Sequence, residues 1–317
     1  FNIKMKKRYI IFSPSYDENI GGIVVLNKLC SLLNDLGEDA YLYPYFNTYE
    51  MNKKNCFKVF MKCMESTLRN NFKKYKINES LNIKVFNEKL DEIKENDIVI
   101  YAENVFGNPL KAKNVVRWLL HQPGFHSEKI YYGENELYFK FNSAIRDFDF
   151  KNSKTSKHFL KIIHYPVEIY NNIKKVKKRK GTAYCLRKGV NKLIQHNLDD
   201  SILIDNKSHK EVSEIFKSVE TFISYDTYTA YSIFAVLCGC KSIVVPDDGV
   251  SKEQWYPNEK DRYGIAYGFS EDEANIAYST SHLVEENIKK EEINNIKNVK
   301  IFIKECNEYF KGTLNVM

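Results

Sequence analysis

The sequence predicts an α/β protein of two domains, each a parallel sheet carrying helices. Three observations point that way. Short apolar runs alternate with segments of helical apolar spacing, the alternation breaks at a basic stretch near residue 175 and then restarts, and 317 residues suffice for two separate cores. Each strand-helix-strand step favours a parallel pair, so two such series imply two parallel sheets.

The elements follow in chain order. "RYIIFSP" (8–14) reads as a buried strand, "GGIVVLNKLCSLLNDLG" (21–37) as a helix closed by Gly37, and "DAYLYPY" (39–45) as the next strand. A charged, helical region is expected up to about Leu81. "NIKVF", "NDIVIYAE" and "NVVRWLLHQPG" then supply three strands at short intervals. Residues 125–150 are rich in Tyr, Phe and acids without clear period, so they read as an irregular excursion, and "HFLKIIHYP" (158–166) reads as a closing strand. After the basic connector come strands "GTAYCLRKG" and "SILID", helix "SHKEVSEIFKSV" with Ser208 as its cap, and strand "TFISY". A helix opening at "DTYTAYS", strands "KSIVVPD" and "GIAYGF", and terminal helices over 271–283 and 291–310 complete the chain. The expected division is 1–170, a linker over 171–180, and 181–317, with the last helix packing back on the first domain. No period of solenoid length is present.

Hydrophobic residues at 43% and aromatics at 14% exclude a disordered chain. A net charge of +7, from 48 Lys and Arg against 41 Asp and Glu, favours anionic ligands or a membrane face only mildly. Nucleic-acid binding wants a basic stripe interleaved with aromatics, and the densest basic run, "NNIKKVKKRKG" (171–181), reads as a solvated connector. The seven cysteines, Cys30, Cys56, Cys63, Cys185, Cys238, Cys240 and Cys306, sit mostly in apolar segments without a Cys-x2-Cys pair. They read as buried thiols of a reducing compartment, and no metal site is expected. No apolar run reaches the roughly 20 residues of a membrane span, and the opening "FNIKMKKRYIIFSP" lacks a cleavage site, so a soluble protein starting near Met5 is expected.

In "SYDTYTAYSIFAVLCGCKSIVVPD" (224–247) small and hydroxyl residues stand where a strand passes into a helix. Parallel sheets bind ligands at the carboxyl ends of their strands, where helix N-H groups point, so Thr227, Thr229 and Ser232 add donors for a phosphate, or Asp226 or Thr227 simply caps the helix. "YCLRKG" sets Arg187 and Lys188 at the carboxyl end of the first strand of the second half, and an Arg fork with a Lys point charge suits adjacent phosphates.

Here the second half, from about Gly181 to Asp248, resembles the donor-binding domain of GT-B glycosyltransferases, which have two Rossmann-like domains with parallel sheets facing a central cleft. The resemblance rests on the Arg-Lys pair and on the strand, hydroxyl-rich helix start and following strand of the stretch quoted above. It implies that Arg187 and Lys188 hold the diphosphate of a nucleotide-sugar donor, and that the segment Asp226, Thr227, Tyr228, Thr229 to Ser232 contacts phosphate or sugar. Many retaining members carry two glutamates eight positions apart. Asp226 and Phe234 stand there instead, so ribose recognition falls to another group, with Asp247 and Asp248 as candidates.

In the first half, Gly21 and Gly22 let the backbone approach a ligand, although G-x-G-x-x-G is absent. Glycosyl transfer needs a base for the acceptor hydroxyl and positive charge for the departing diphosphate. Asp17, Glu103 and His121, all at strand ends or in the loop that follows, are the candidate bases. The aromatic segment after His121 either stacks on a sugar or packs as a surface loop. The resulting expectation is a metal-independent glycosyltransferase using a nucleoside-diphosphate sugar and a glycan or lipid-linked acceptor, in bacterial surface-glycan synthesis, cytoplasmic or at the inner membrane face. Rivals are an epimerase-like enzyme and a non-catalytic nucleotide-binding module.

Overall fold

A computed structural model of the chain describes residues 7–44, 75–125, 130–148, 150–173 and 178–311. Most of the charged region expected to be helical before Leu81, with Cys56 and Cys63, lies outside them, as do residues 174–177 of the basic connector. The chain forms two units, Phe1–His164 with Ile293–Met317, and Tyr165–Glu292.

In the first unit, strands β1 (Arg8–Ser13), β2 (Asp39–Pro44), β3 (Lys84–Val85), β4 (Ile98–Ala102), β5 (Asn114–Leu119), β6 (Leu137–Lys140) and β7 (Lys154–Thr155) form one sheet in the order β3-β2-β1-β4-β5-β6-β7. Every pair is parallel. Strands β1, β4 and β5 are buried along their whole length, which is why each reads as a continuous apolar run. Their side chains still alternate between two cores. Tyr9, Ile11, Ile100 and Trp118 pack with Leu26, Leu29 and Leu33 of helix α1 (Gly21–Asp35) and with Phe302, while Ile10, Phe12, Val99 and Tyr101 pack on the other side.

Two expectations fail in this unit. Strand β6 lies inside the segment read as an irregular excursion; it is buried at Leu137, Tyr138 and Phe139, so neither face shows the polar alternation that marks a half-exposed strand. Residues 158–166 are not a strand. Leu160 N donates to Lys140 O at 2.9 Å, but the carbonyls of Lys161 and Ile163 accept from the side chains of Asn298 and Asn295 at 2.8 and 2.7 Å, so helix side chains replace the ladder.

Arg117 of β5 is fully buried and pairs with Glu136 through two bonds of 2.9 and 2.7 Å. Its guanidinium lies 5.2 and 4.3 Å from the ring centroids of Tyr101 and Tyr132, and its remaining donors reach Val105 O and Gly107 O at 2.7 and 2.8 Å. Tyr132 in turn donates to Glu103 O at 2.5 Å. One buried ion pair thus fixes the backbone of the loop that leaves β4.

The second unit has strands β8 (Thr182–Cys185), β9 (Ser201–Leu203), β10 (Thr221–Ser224), β11 (Lys241–Val244) and β12 (Ile265–Tyr267), all parallel, in the order β12-β11-β10-β8-β9. Helices α2 (His209–Ser218), α3 (Tyr231–Leu237), α4 (Lys252–Trp255), α5 (Glu271–Thr280) and α6 (Leu283–Tyr309) accompany them. Ser208 caps α2 as expected, in a reciprocal box with Glu211. Helix α6 also fills the break expected over 284–290; Val284 lies in the core of the second unit and Val299, Phe302 and Cys306 in that of the first. Arg179 is no solvated connector residue. It donates to Phe216 O at 2.7 Å and Asn172 Oδ1 at 3.0 Å, and also bonds Cys238 O, so it holds the carbonyl ends of α2 and α3. Together the units are two α/β, Rossmann-like bodies with parallel sheets.

Removing one member of a buried ion pair strands the other, at a typical cost of about 3–5 kcal/mol, whereas replacing both by apolar groups is far milder. Arg117→Met should therefore lower the unfolding free energy by about 3 kcal/mol or more, and the double variant Arg117→Met with Glu136→Leu should recover much of the loss. Denaturant titration measures both.

Candidate functional site

The two sheets share one topological property. In the first, the chain runs from β1 outward through β2 to β3 and then returns to lay β4 on the other side of β1; in the second, it runs from β8 to β9 and returns to lay β10 on the other side of β8. At such a reversal the connections leave in opposite directions and open a crevice at the carboxyl ends of the strands. Several of the expected site residues follow strands that meet at these two reversals; His121 follows β5 and Asp247 follows β11.

In the second unit, β8 ends in a single 3-10 turn, Arg187–Gly189. Leu186 N and Arg187 N donate to the carboxylate of Asp205, the latter at 2.9 Å, and hold Arg187 at φ 43°, a left-handed conformation that costs a non-glycine residue of order 1 kcal/mol. Gly189 is required two residues later: a Cβ there would stand 1.9 Å from Tyr225 O. The guanidinium of Arg187 lies 5.3 Å from the ring centroid of Tyr231, 3.5 Å from Thr229 Oγ1 and 4.0 Å from the Asp226 carboxylate, and its side chain remains 41% exposed. Lys188 is exposed and makes no hydrogen bond or ion pair among the described residues.

The hydroxyl segment is not a helix start. Residues 226–230 form a turn, and α3 begins only at Tyr231, spans seven residues and has no side-chain cap. The turn is held by its own bonds instead: Ser224 Oγ donates to Asp226 O at 2.6 Å, Tyr228 N donates to Asp226 Oδ1 at 3.3 Å, and Trp255 Nε1 donates to Thr227 O at 2.8 Å. Asp226 and Thr227 are buried, and Tyr228 is exposed with its ring edge against Tyr256. Ser232 is 3% exposed, and its Oγ has no hydrogen-bond partner among the described residues. Phe234 is buried and stacked on Tyr170 at 4.4 Å, so that position belongs to the core.

Sequence reading missed Lys192. Its ammonium donates to Thr227 Oγ1 at 2.8 Å and Val245 O at 2.7 Å and pairs with Asp247 Oδ1 at 2.7 Å, which ties the ends of β10 and β11 together. The hydrogen bond from Lys192 holds the Asp247 carboxyl below its ordinary range, so Asp247 stays ionised at neutral pH. Asp248 is exposed. Lys192 stands in a loop, where no periodicity marks it, but Asp205 at the end of "SILID" carried a legible signal as an acid closing a strand beside β8.

In the first unit a cavity of about 440 Å³ opens at the β1/β4 reversal. Its lining includes Gly22 at the start of α1, Glu103 and Asn104 after β4, and His121 after β5. Glu103 Oε2 accepts from Leu120 N at 3.0 Å, which joins the ends of β4 and β5. His121 Nδ1 accepts from Gln122 N at 2.8 Å, and its ring stacks on Phe125 at 3.9 Å. Asp17 and Gly21 lie outside this lining; Asp17 is exposed and its Oδ1 accepts from Asn19 N at 2.9 Å in a turn of its own. No group of three or more His, Cys, Asp or Glu side chains arranged to hold a metal ion occurs among the described residues. The described cysteines, Cys30, Cys185, Cys238, Cys240 and Cys306, are free and buried, and burial pushes the Cys185 and Cys238 thiols up to about 11. No helix among the described residues is long and apolar enough to cross a membrane.

Because Arg187 is strained in the left-handed region, glycine should suit the unliganded backbone there better than alanine. Arg187→Gly is expected to unfold at a higher temperature than Arg187→Ala, a difference of about 1 kcal/mol. Calorimetry of the two variants checks it, and the reverse order would show that Asp205 does not hold this turn.

No family model and no curated protein matches the chain. Among solved structures it is similar to sucrose-phosphate synthase from Thermosynechococcus elongatus, at 8% identity and a TM-score of 0.35 over 93% of this chain and 94% of that one. It is also similar to spinosyn forosaminyltransferase SpnP, at 10% identity and a TM-score of 0.32 over 96% of each chain. Values this low transfer no residue role.

Proposed function

We propose that the protein is a glycosyltransferase that takes a nucleoside-diphosphate sugar on its second unit and an acceptor on its first. The observation that carries the reading is the β8/β10 reversal, where an exposed Arg187 lies 3.5 Å from the hydroxyl of Thr229 and is followed in the chain by an exposed Lys188. A diphosphate placed there meets a bidentate fork, a point charge and a hydroxyl donor, which together balance the charge released as the glycosidic bond breaks. The chemistry is metal-independent in this reading, because these side chains supply the positive charge. Asp226, buried beneath Arg187, orients the guanidinium. Ser232 Oγ is a further donor in reach of the turn, and Asp247, ionised and fixed by Lys192, is an acceptor for ribose hydroxyls.

Between Glu103 and His121 the hydrogen bonds favour Glu103 as the base. A neutral imidazole that accepts at Nδ1 carries its proton on Nε2 and so is not set to take a second proton there, whereas Glu103 is a carboxyl group anchored at Oε2 by Leu120 N. Glu103 would take the acceptor proton and His121 would bond the acceptor or a developing negative charge. Within this reading the enzyme serves assembly of a bacterial surface glycan, in the cytoplasm or at the inner membrane face.

A thermal-shift panel of UDP, GDP, ADP and CDP tests the donor site. One nucleotide at 100 times its dissociation constant should stabilise the protein by about 2.7 kcal/mol. Arg187→Ala should abolish most of that response while the unliganded protein still unfolds in one cooperative transition. If no nucleotide shifts the unfolding, or if the response survives in Arg187→Ala, the reading fails.

A further inference from the structure

We infer that the first unit recognises an amphiphilic acceptor, an apolar body joined to a hydroxyl-bearing head, rather than a bare glycan. The use of the hydroxyl rests on the transferase reading; the binding itself does not. Of the twelve residues that line the cavity, eight are apolar, among them Ile20, Ile23, Leu26, Val105 and Leu120. The polar side chains are Glu103, Asn104 and His121, which stand where β4 and β5 end. A volume of about 440 Å³ falls in the range of small-molecule sites. A bare sugar placed there would turn hydroxyls from water towards aliphatic walls with few partners to replace the lost bonds. An alkyl, prenyl or polycyclic body loses nothing of that kind and gains from leaving water.

Recognition of a sugar by aromatic stacking is not built into the lining. Phe12, the Phe of the lining, is buried with its ring stacked on Tyr43 at 5.6 Å. The exposed aromatic is outside the lining: Phe125, 66% exposed, lies against the His121 ring. That pair offers the polar head a flat surface next to the cavity, while the apolar body meets the aliphatic lining. The shape of the site therefore separates the two ends of the ligand.

Gly22 supplies the test, because its missing side chain keeps part of this space open. A Cβ at Gly22 would meet Leu120 Cδ1 at 3.5 Å, an ordinary contact, and its backbone is helical, so the backbone tolerates a side chain at this position of the lining. Isothermal titration with n-octyl β-D-glucoside below its micelle concentration, and with maltose, compares an amphiphile with a glycan. The wild-type protein should bind octyl glucoside at least tenfold more tightly than maltose, and Gly22→Leu should weaken that binding at least tenfold while leaving the nucleotide response intact. Methyl NMR of the wild-type protein gives a second readout independent of any variant: octyl glucoside should shift the methyl signals of Ile23, Leu26 and Val105. Maltose binding as tight as octyl glucoside, methyl shifts confined to other residues, or full binding in a folded Gly22→Leu protein would each overturn the inference. A protein that binds octyl glucoside at these methyls but no nucleotide would instead retain the cavity assignment and lose the transferase reading.

Discussion

Both candidate sites of this protein depend on a constraint of chain direction. Parallel strands must be joined by crossovers, and a sheet that grows outward from its first strand on one side and then on the other has one place where the crossovers diverge. The first sheet meets it between β1 and β4 and the second between β8 and β10. Strand carboxyl ends and loop backbone are exposed together there, without a covering connection. Glu103, His121 and Gly22 gather at one such place, and Arg187, Asp226, Thr227 and Thr229 at the other.

A crevice alone does not hold side chains in place, and each unit adds a cationic tie behind it. In the first, Arg117 is fully buried and its ion pair with Glu136 carries two loop carbonyls, Val105 O and Gly107 O, so the charge serves to organise a backbone that has no helix or strand of its own. In the second, Lys192 does similar work at the rim, where 19% exposure of its side chain leaves the pair with Asp247 partly hydrated and correspondingly less costly to open. The contrast has a physical consequence. The loop after β4 is set by a fully buried ion pair, while the turn after β10 combines two buried bonds, from Ser224 and Trp255, with a partly hydrated one from Lys192 that a ligand can compete for.

Much of the architecture was legible in the sequence, because fully buried parallel strands read as unbroken apolar runs and α1 and α2 carry clear ends at Gly37 and Ser208. Strand β6 was not, since burial on both faces erased its alternation, and residues 158–166 misled because an apolar stretch can lie flat on a core with its carbonyls bonded to Asn295 and Asn298 rather than to a strand. The site was legible by residue type but not by geometry. Arg187, Lys188 and the hydroxyl run stood out, yet the left-handed turn at Arg187, the close approach at Gly189 and the turn that delays α3 to Tyr231 depend on contacts with Asp205, Tyr225 and Trp255, residues distant in sequence. Lys192 was hidden for the same reason: its three partners come from two other strand ends.

The central claim is that the β8/β10 reversal is where a nucleoside diphosphate binds, and amide hydrogen exchange with and without the nucleotide that best stabilises the protein tests it most directly. Slowed exchange at residues 186–192 and 225–232, with the edge strand β9 unchanged, is the result this account predicts. Unchanged exchange across both segments in a protein saturated with nucleotide would contradict it.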